Sequence, residues 1–258
     1  QTIDDWELIV IDDGSTDSTI EILAKFKEKI IVIKNKKNMG VSYSRNIGIK
    51  RANSNWISLL DSDDLWHKDK LKNQLDYIDN YPFYEIMQSE EIWYRNKVRV
   101  NACKHHKKPM GWIWEKSLNL CLISPSSVLI KKQLFEDFGY FDEVLPVCED
   151  YDLWLKITRH LPVGLEPSLS LIKYGGHEDQ LSTKFPAMDR FRVEALVKAL
   201  ERESNQNYIV KIKEMLKKKL EILIKGSVKR EKLEQVKYYE AILKYIDKTC
   251  FGTFTTTP

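Results

Sequence analysis

The sequence predicts an α/β protein with a mixed, mainly parallel sheet flanked by helices, followed by a C-terminal helical extension. Three observations predict it. Short apolar runs rich in β-branched residues alternate with helix-spaced segments over residues 1–80. Aspartates cluster directly after those runs, at the strand ends where α/β sheets gather their ligands. From residue 187 the pattern becomes purely helical, with apolar residues three and four apart among many lysines.

The first run, residues 6–11, reads as a buried strand. Asp12-Asp13-Gly14-Ser15-Thr16-Asp17 then turns the chain into a helix through Ile20, Leu23, Ala24 and Phe26, with Ser15 or Asp17 as caps. Residues 30–33 form a second strand, and a polar loop ending at Gly40 leads to a helix over 41–52. A third strand, 56–60, runs into Asp61-Ser62-Asp63-Asp64, with another helix starting near Lys68. Strand-like runs follow at 84–87, 90–94 and 126–130, then a helix over 131–138. The segment Cys148-Glu149-Asp150-Tyr151-Asp152-Leu153-Trp154 opens a further helix. Three packed helices are expected after residue 187, marked by Phe191, Ala195 and Ala199, then Ile209, Ile212, Leu216, Leu220 and Leu223, then Leu233, Val236, Leu243 and Ile246. The domain boundaries expected are 1–186 for the α/β part, 187–250 for the helices and 251–258 for a frayed tail. Because the first strand already carries the aspartate pair, a strand and helix are expected to precede Gln1.

Composition limits the function classes. Of 258 residues, 43% are hydrophobic and 31% charged, which suits a globular protein and not a disordered one. No run approaches the apolar length of a membrane span, and the four cysteines are too scattered for a disulfide framework or a zinc site. A cytoplasmic location is therefore expected. The net charge of +3 is uneven: residues 187–258 hold 16 basic and 10 acidic residues. That excess permits peripheral membrane contact or self-association through the C-terminal helices, although a solvated lysine face is the plainer reading. No nucleic-acid partner is expected.

Three acidic clusters carry the candidate chemistry. Asp12-Asp13 at a strand end can accept hydrogen bonds from a nucleobase imide or from ribose hydroxyls, though Asp-Gly-Ser is also ordinary turn chemistry. Asp61, Asp63 and Asp64 repel one another unless a cation or a strongly polar site neutralises them. Magnesium and manganese use few protein carboxylates and complete their shells with phosphate oxygens and water, so the spacing suits Mn2+ or Mg2+ held against a diphosphate. Glu149-Asp150 at a helix start can supply a general base for a hydroxyl, or can simply favour the helix dipole.

Together these segments resemble glycosyltransferase family 2. The likeness lies in Trp6 to Asp17, Asn38-Met-Gly-Val-Ser-Tyr-Ser-Arg-Asn46, Leu60-Asp-Ser-Asp-Asp-Leu-Trp66 and Glu149-Asp-Tyr-Asp-Leu-Trp-Leu155, in that order, across residues 1–185. The resemblance implies a GT-A fold and inverting transfer of a sugar from a nucleotide-diphosphate donor to a glycan or lipid-linked acceptor, in bacterial surface glycan synthesis. It implies that Asp13 reads the base of a UDP-sugar with support from Asp12, that Arg45 meets the phosphates, and that Asp61 lies near the ribose. It further implies Asp63 and His177 as metal ligands, Asp150 as catalytic base and Glu149 as an acceptor contact. The family's usual first strand and base-wrapping segment are not found before Gln1. A nucleotidyltransferase would need a Gly-rich, cationic triphosphate loop, which is not found. A phosphate-accepting receiver domain would leave residues 61–64 and 149–152 unexplained. An inactive nucleotide-sugar-binding module is the remaining alternative.

Overall fold

The structure is a computed structural model that describes residues 1–96, 98–100, 107–176, 184–185 and 187–248. The first alternation forms as expected. Strand β1 (Ile9–Asp12) pairs in parallel with β2 (Ile31–Lys34) across helix α1 (Thr19–Ala24), and α2 (Val41–Arg51) packs on β1. Gly14, at φ 78°, makes the turn after β1; a Cβ there would lie 2.9 Å from the backbone of residues 37 and 38, so only glycine lets the two loops meet.

A second sheet carries the rest. Its order is β3 (Trp56–Ser58), β7 (Val128–Lys131), β5 (Ile86–Arg95), β8 (Gly164–Gly175) and β4 (Leu65–Trp66), with β6 (Val98–Val100) against the end of β5. Helices α3 (Lys70–Asn80), α4 (Trp114–Ser117), α5 (Gln133–Phe138) and α6 (Glu149–Thr158) lie around it. The mixed α/β class is the expected one, but the balance of strand directions differs. Among the described residues β1–β2 and β5–β8 pair in parallel, and the β3–β7, β5–β7, β5–β6 and β4–β8 pairs are antiparallel. The regular strand–helix alternation that gives parallel crossovers ends near residue 80; of the antiparallel pairs only β5–β6 is a hairpin, and the others join strands distant in sequence, whose directions no local pattern sets. The long strand β8 was not expected from the sequence. Pro167 and a serine-rich run mask its alternation, and its pairing with β5 shifts register at Ser89–Glu91.

Helix α6 is buried on nearly every side. Leu153, Trp154 and Ile157 join the sheet core with Ile49, Ile57, Ile86, Ile130 and Phe135. Tyr151 and Leu155 join a second core with Trp114 and helices α7 (Asp189–Arg202), α8 (Gln206–Lys229) and α9 (Leu233–Lys248). A helix apolar all round belongs between two layers. The C-terminal helices supply one of those layers, and Asp152 strengthens the join by pairing with Lys156 at 2.6 Å and Arg202 at 3.7 Å.

Lys70 is wholly buried beneath the loop that follows β3. Its ammonium donates to Ser58 Oγ at 3.0 Å and Gln74 Oε1 at 2.7 Å, and sits 4.1 Å from the centre of the Trp66 ring. Burial outweighs the pull of Glu166 and lowers its pKa to about 7. From pH 7 to 10 the unfolded chain therefore holds a proton that the folded chain releases, so this residue makes stability rise with pH. The contribution is on the order of 4 kcal/mol across that window. Lys70→Met is expected to remove the rise in urea midpoints between pH 7 and 10; parallel pH profiles for the two proteins would contradict a depressed Lys70.

Candidate active site

The loop after β3 is fastened by its own polar groups. The Asp61 N–H donates to Ser126 Oγ at 3.0 Å, and Trp66 Nε1 donates to the Ser126 carbonyl at 2.7 Å, so one serine holds both ends of Asp61–Trp66. Asp61 and Asp64 each have a counter-charge within the fold. Asp61 accepts from Arg45 Nη2 at 2.6 Å, and Asp64 lies 3.1 Å from Lys173 Nζ. Burial works against both. At Asp61 the Arg45 guanidinium wins and lowers the pKa, whereas at Asp64 burial wins over Lys173 and raises it. Asp63 is the exposed member of the cluster. Among the described residues no three His, Cys, Asp or Glu side chains converge as a cation site. The loop therefore does not fit a cation caged by protein. A hard cation at this loop would take most of its ligands from outside the protein.

Arg45 joins this loop to α6. Its other terminal nitrogen, Nη1, donates to Glu149 Oε1 at 2.6 Å, and the guanidinium stands 5.2 Å from the Phe141 ring centre. Burial opposes its charge, but Asp61 and Glu149 raise its pKa further above the ordinary arginine value. Glu149 is itself buried, and burial with the neighbouring Asp150 carboxylate pushes its pKa up against the pull of Arg45. Residue Asn46 locks α2 to the same region: its side chain donates to the Phe141 carbonyl at 2.9 Å and accepts from the Phe141 N–H at 3.0 Å.

Asp150 is half-buried at the start of α6, with the residue before the helix, Cys148, at φ 63°. A non-glycine residue in that left-handed region costs about 1–2 kcal/mol, which the two surrounding cores sustain. The Asp150 carboxylate accepts from the Tyr151 N–H at 2.7 Å and from the Cys121 thiol at 3.4 Å. Burial keeps Cys121 protonated, and therefore a donor.

At the other strand end the two aspartates divide their work. Asp13 Oδ1 accepts from Asn35 Nδ2 at 2.7 Å and the Met39 N–H at 2.8 Å, and Oδ2 accepts from the Gly40 N–H at 2.9 Å. Burial alone would raise its pKa; these bonds lower it. Asp13 thus closes the loop that starts α2. Asp12 Oδ1 accepts from the Ser15 N–H at 3.0 Å, while Oδ2 is buried with no hydrogen-bond partner among the described residues.

The sequence-derived residues Arg45, Asp61, Glu149 and Asp150 come together, with Asp63 on the same loop as Asp61. Arg45 spends both terminal nitrogens on carboxylates, and Glu149 is turned toward Arg45. His177 lies outside the described residues. Ser126, Asn46, Cys121 and Lys173 were not singled out from the sequence. Asn46 stood inside a recognised motif, but Lys173 lies on the unexpected strand β8, and neither Ser126 nor Cys121 carries a local signal.

Residues 1–135 match the family described as glycosyl transferase family 2. The chain belongs to that family. An uncharacterized glycosyltransferase of Rickettsia typhi is 30% identical over 276 residues, covering 99% of this chain and 80% of its own length. The Escherichia coli UDP-Glc:alpha-D-GlcNAc-diphosphoundecaprenol beta-1,3-glucosyltransferase WfaP is 33% identical over 61% of this chain and 60% of its own. Among solved structures, Staphylococcus aureus TarS 1–349 in complex with UDP-GlcNAc aligns with a TM-score of 0.65 and 19% identity, over 81% of this chain and 61% of that one. This family 2 chain thus shares the GT-A fold of TarS. It spans only 31% of the length of a longer matched relative from Rickettsia felis.

A family 2 chain built around a shared arginine has a clear energetic signature. Arg45→Met leaves Asp61 and Glu149 buried without their cation and is expected to cost about 3–5 kcal/mol in urea denaturation. Adding Glu149→Gln is expected to recover part of that loss. A cost below about 1 kcal/mol for Arg45→Met would mean that the pairs behave as solvent-screened surface bridges.

Proposed function

We propose that this family 2 chain is an inverting glycosyltransferase that moves a sugar from a UDP-sugar to a hydroxyl of a glycan or lipid-linked acceptor. The observation that carries this reading is the Arg45 bridge, which joins the Asp61–Asp64 loop to the helix that starts at Glu149 and Asp150. One loop presents carboxylates suited to a cation–diphosphate, and beside it stands a half-buried carboxylate suited to take a proton.

The reaction is a single displacement. The acceptor oxygen attacks the anomeric carbon opposite the nucleotide, and its proton passes to Asp150. As the new C–O bond forms, the bond to the diphosphate oxygen breaks and its electron pair leaves with the diphosphate. When bound, Mn2+ or Mg2+ on Asp63, with His177 as a further candidate ligand, neutralises charge on that diphosphate. Arg45 and Glu149 hold the loop and the base helix in register. For the base of the donor, Asp13 is the candidate acceptor of a uracil imide N–H: it is the more exposed of the two carboxylates, and its Oδ2 keeps a lone pair beyond the one loop hydrogen bond, whereas Asp12 is buried. Asp12 supports it by holding the turn at Ser15.

The UDP donor is supported by the likeness to WfaP, whose name specifies UDP-Glc, and by the fold shared with TarS, which was solved with UDP-GlcNAc. The lipid-linked acceptor follows WfaP as well, whose name specifies a diphosphoundecaprenol, and a role in bacterial surface glycan synthesis is part of the same proposal. No helix among the described residues is long and apolar enough to cross a membrane. We place the protein at the cytoplasmic face of the membrane, where the basic excess of residues 187–258 meets anionic lipid.

Hydrolysis or transfer from UDP-sugars is expected to require Mn2+ or Mg2+ and to fall by about two orders of magnitude in Asp63→Asn. Calorimetry is expected to rank UDP above the other nucleoside diphosphates, with that preference lost in Asp13→Asn. Full activity in excess chelator would contradict the metal assignment, and equal diphosphate affinities would contradict a uracil-reading site.

A further inference from the structure

Strand β5 presents an aromatic side chain toward this site that the reaction described above does not use. Trp93 is 38% exposed, yet its position is built. Its Nε1 donates to Glu91 Oε1 at 2.8 Å, and Glu91 Oε2 is in turn ion-paired with Lys108 Nζ at 2.9 Å. Lys108 is buried and also donates to Gln88 Oε1 at 3.2 Å and Ser127 Oγ at 3.4 Å. The register of β5 with β8 sets Trp93 beside Lys173, whose ammonium stands 5.3 Å from the indole centre. The same ammonium reaches Asp64 at 3.1 Å and Ser124 Oγ at 3.0 Å. The residue before Ser124 is Ile123, whose carbonyl is 3.4 Å from the Cys121 thiol, and that thiol is 3.4 Å from Asp150 Oδ2. A chain of contacts therefore links Asp64 through Lys173 and residues 121–124 to Asp150, and Trp93 lies against its Lys173 member.

We propose that Trp93 is the acceptor platform of this site, binding the apolar face of a pyranose ring in the acceptor. The inference rests on the glycosyltransferase reading and deepens it by naming the acceptor class. A pyranose carries axial C–H bonds on one face, and these meet the electron-rich face of an indole favourably. The indole N–H is already taken by Glu91, so what the residue offers a ligand is its apolar surface. The three charged groups that fix Trp93 are each paired: Glu91 with Lys108, and Lys173 with Asp64. They can hold the ring without placing an unpaired charge against a sugar. A rigid aromatic also loses little conformational freedom on binding.

Two measurements on the full chain test this. In the first, short alkyl β-pyranosides of glucose, galactose and N-acetylglucosamine are titrated into the protein with UDP present, and the indole N–H resonances are followed. The Trp93 signal is identified by its loss in Trp93→Phe and is expected to shift saturably with at least one pyranoside. In the second, Trp93→Ala is expected to raise the KM for a pyranoside acceptor roughly three- to tenfold, with Trp93→Phe in between. Donor hydrolysis and UDP affinity are expected to stay within about twofold. Trp112→Ala, which removes an indole that is 70% exposed, serves as the control and is expected to leave all values unchanged. The proposal is overturned if no pyranoside shifts the Trp93 resonance, if Trp112→Ala and not Trp93→Ala raises the acceptor KM, or if Trp93→Ala lowers donor hydrolysis as much as transfer. Absence of any UDP-sugar turnover in the unmodified protein would instead defeat the glycosyltransferase reading; the resonance shift would still decide whether Trp93 binds a sugar.

Discussion

Everything in the site depends on Arg45. Asp61 and Glu149 lie 88 residues apart in sequence, carry like charge and are both largely buried. Without a shared cation the loop after β3 and the start of α6 would repel each other. A planar guanidinium can donate one terminal nitrogen to each carboxylate, which an ammonium cannot do with the same fixed geometry. The loop that would receive the donor diphosphate and the helix that would activate the acceptor are thus set by a single side chain. Lys173 does the corresponding work for Asp64, which leaves Asp63 as the exposed carboxylate of the cluster.

The second constraint is the burial of α6. Its inner residues belong to the sheet core and its outer residues to the core built by α7, α8 and α9. A helix clamped between two apolar layers cannot rotate or slide without opening cavities, so the groups at its first turn stay where the fold sets them. Strain at Cys148 and the raised pKa of Glu149 both sit at that turn. They are tolerable because packing elsewhere over-determines the helix, which is how preorganised sites are usually maintained. The C-terminal helices therefore support the site from outside, whatever surface they present to other partners.

Much of this was legible in the sequence, and what was missed was missed for physical reasons. The apolar runs at 30–33, 56–60 and 126–130 and the helix over 41–52 are local patterns, and each becomes an element close to its expected bounds. The order of the acidic motifs carried the family. The single long strand β5 was read as two because polar Gln88 and Ser89 interrupt its apolar run; in the fold both are wholly buried, with Gln88 bonded to Lys108 and the Pro109 carbonyl. Strand β8 was lost behind Pro167, and with it the role of Lys173. The hydrogen bonds of Arg45 and Asp13 depend on contacts across the fold that no local window contains.

Activation of the acceptor by Asp150 is the central claim, and comparing transfer with donor binding in Asp150→Asn tests it most directly. An amide cannot take the acceptor proton, so the transfer rate is expected to fall by about 10²–10⁴-fold. The donor dissociation constant is expected to change by less than about threefold, because Asp150 lies outside the proposed nucleotide contacts. A folded Asp150→Asn protein that transfers sugar at a near-normal rate would contradict the account.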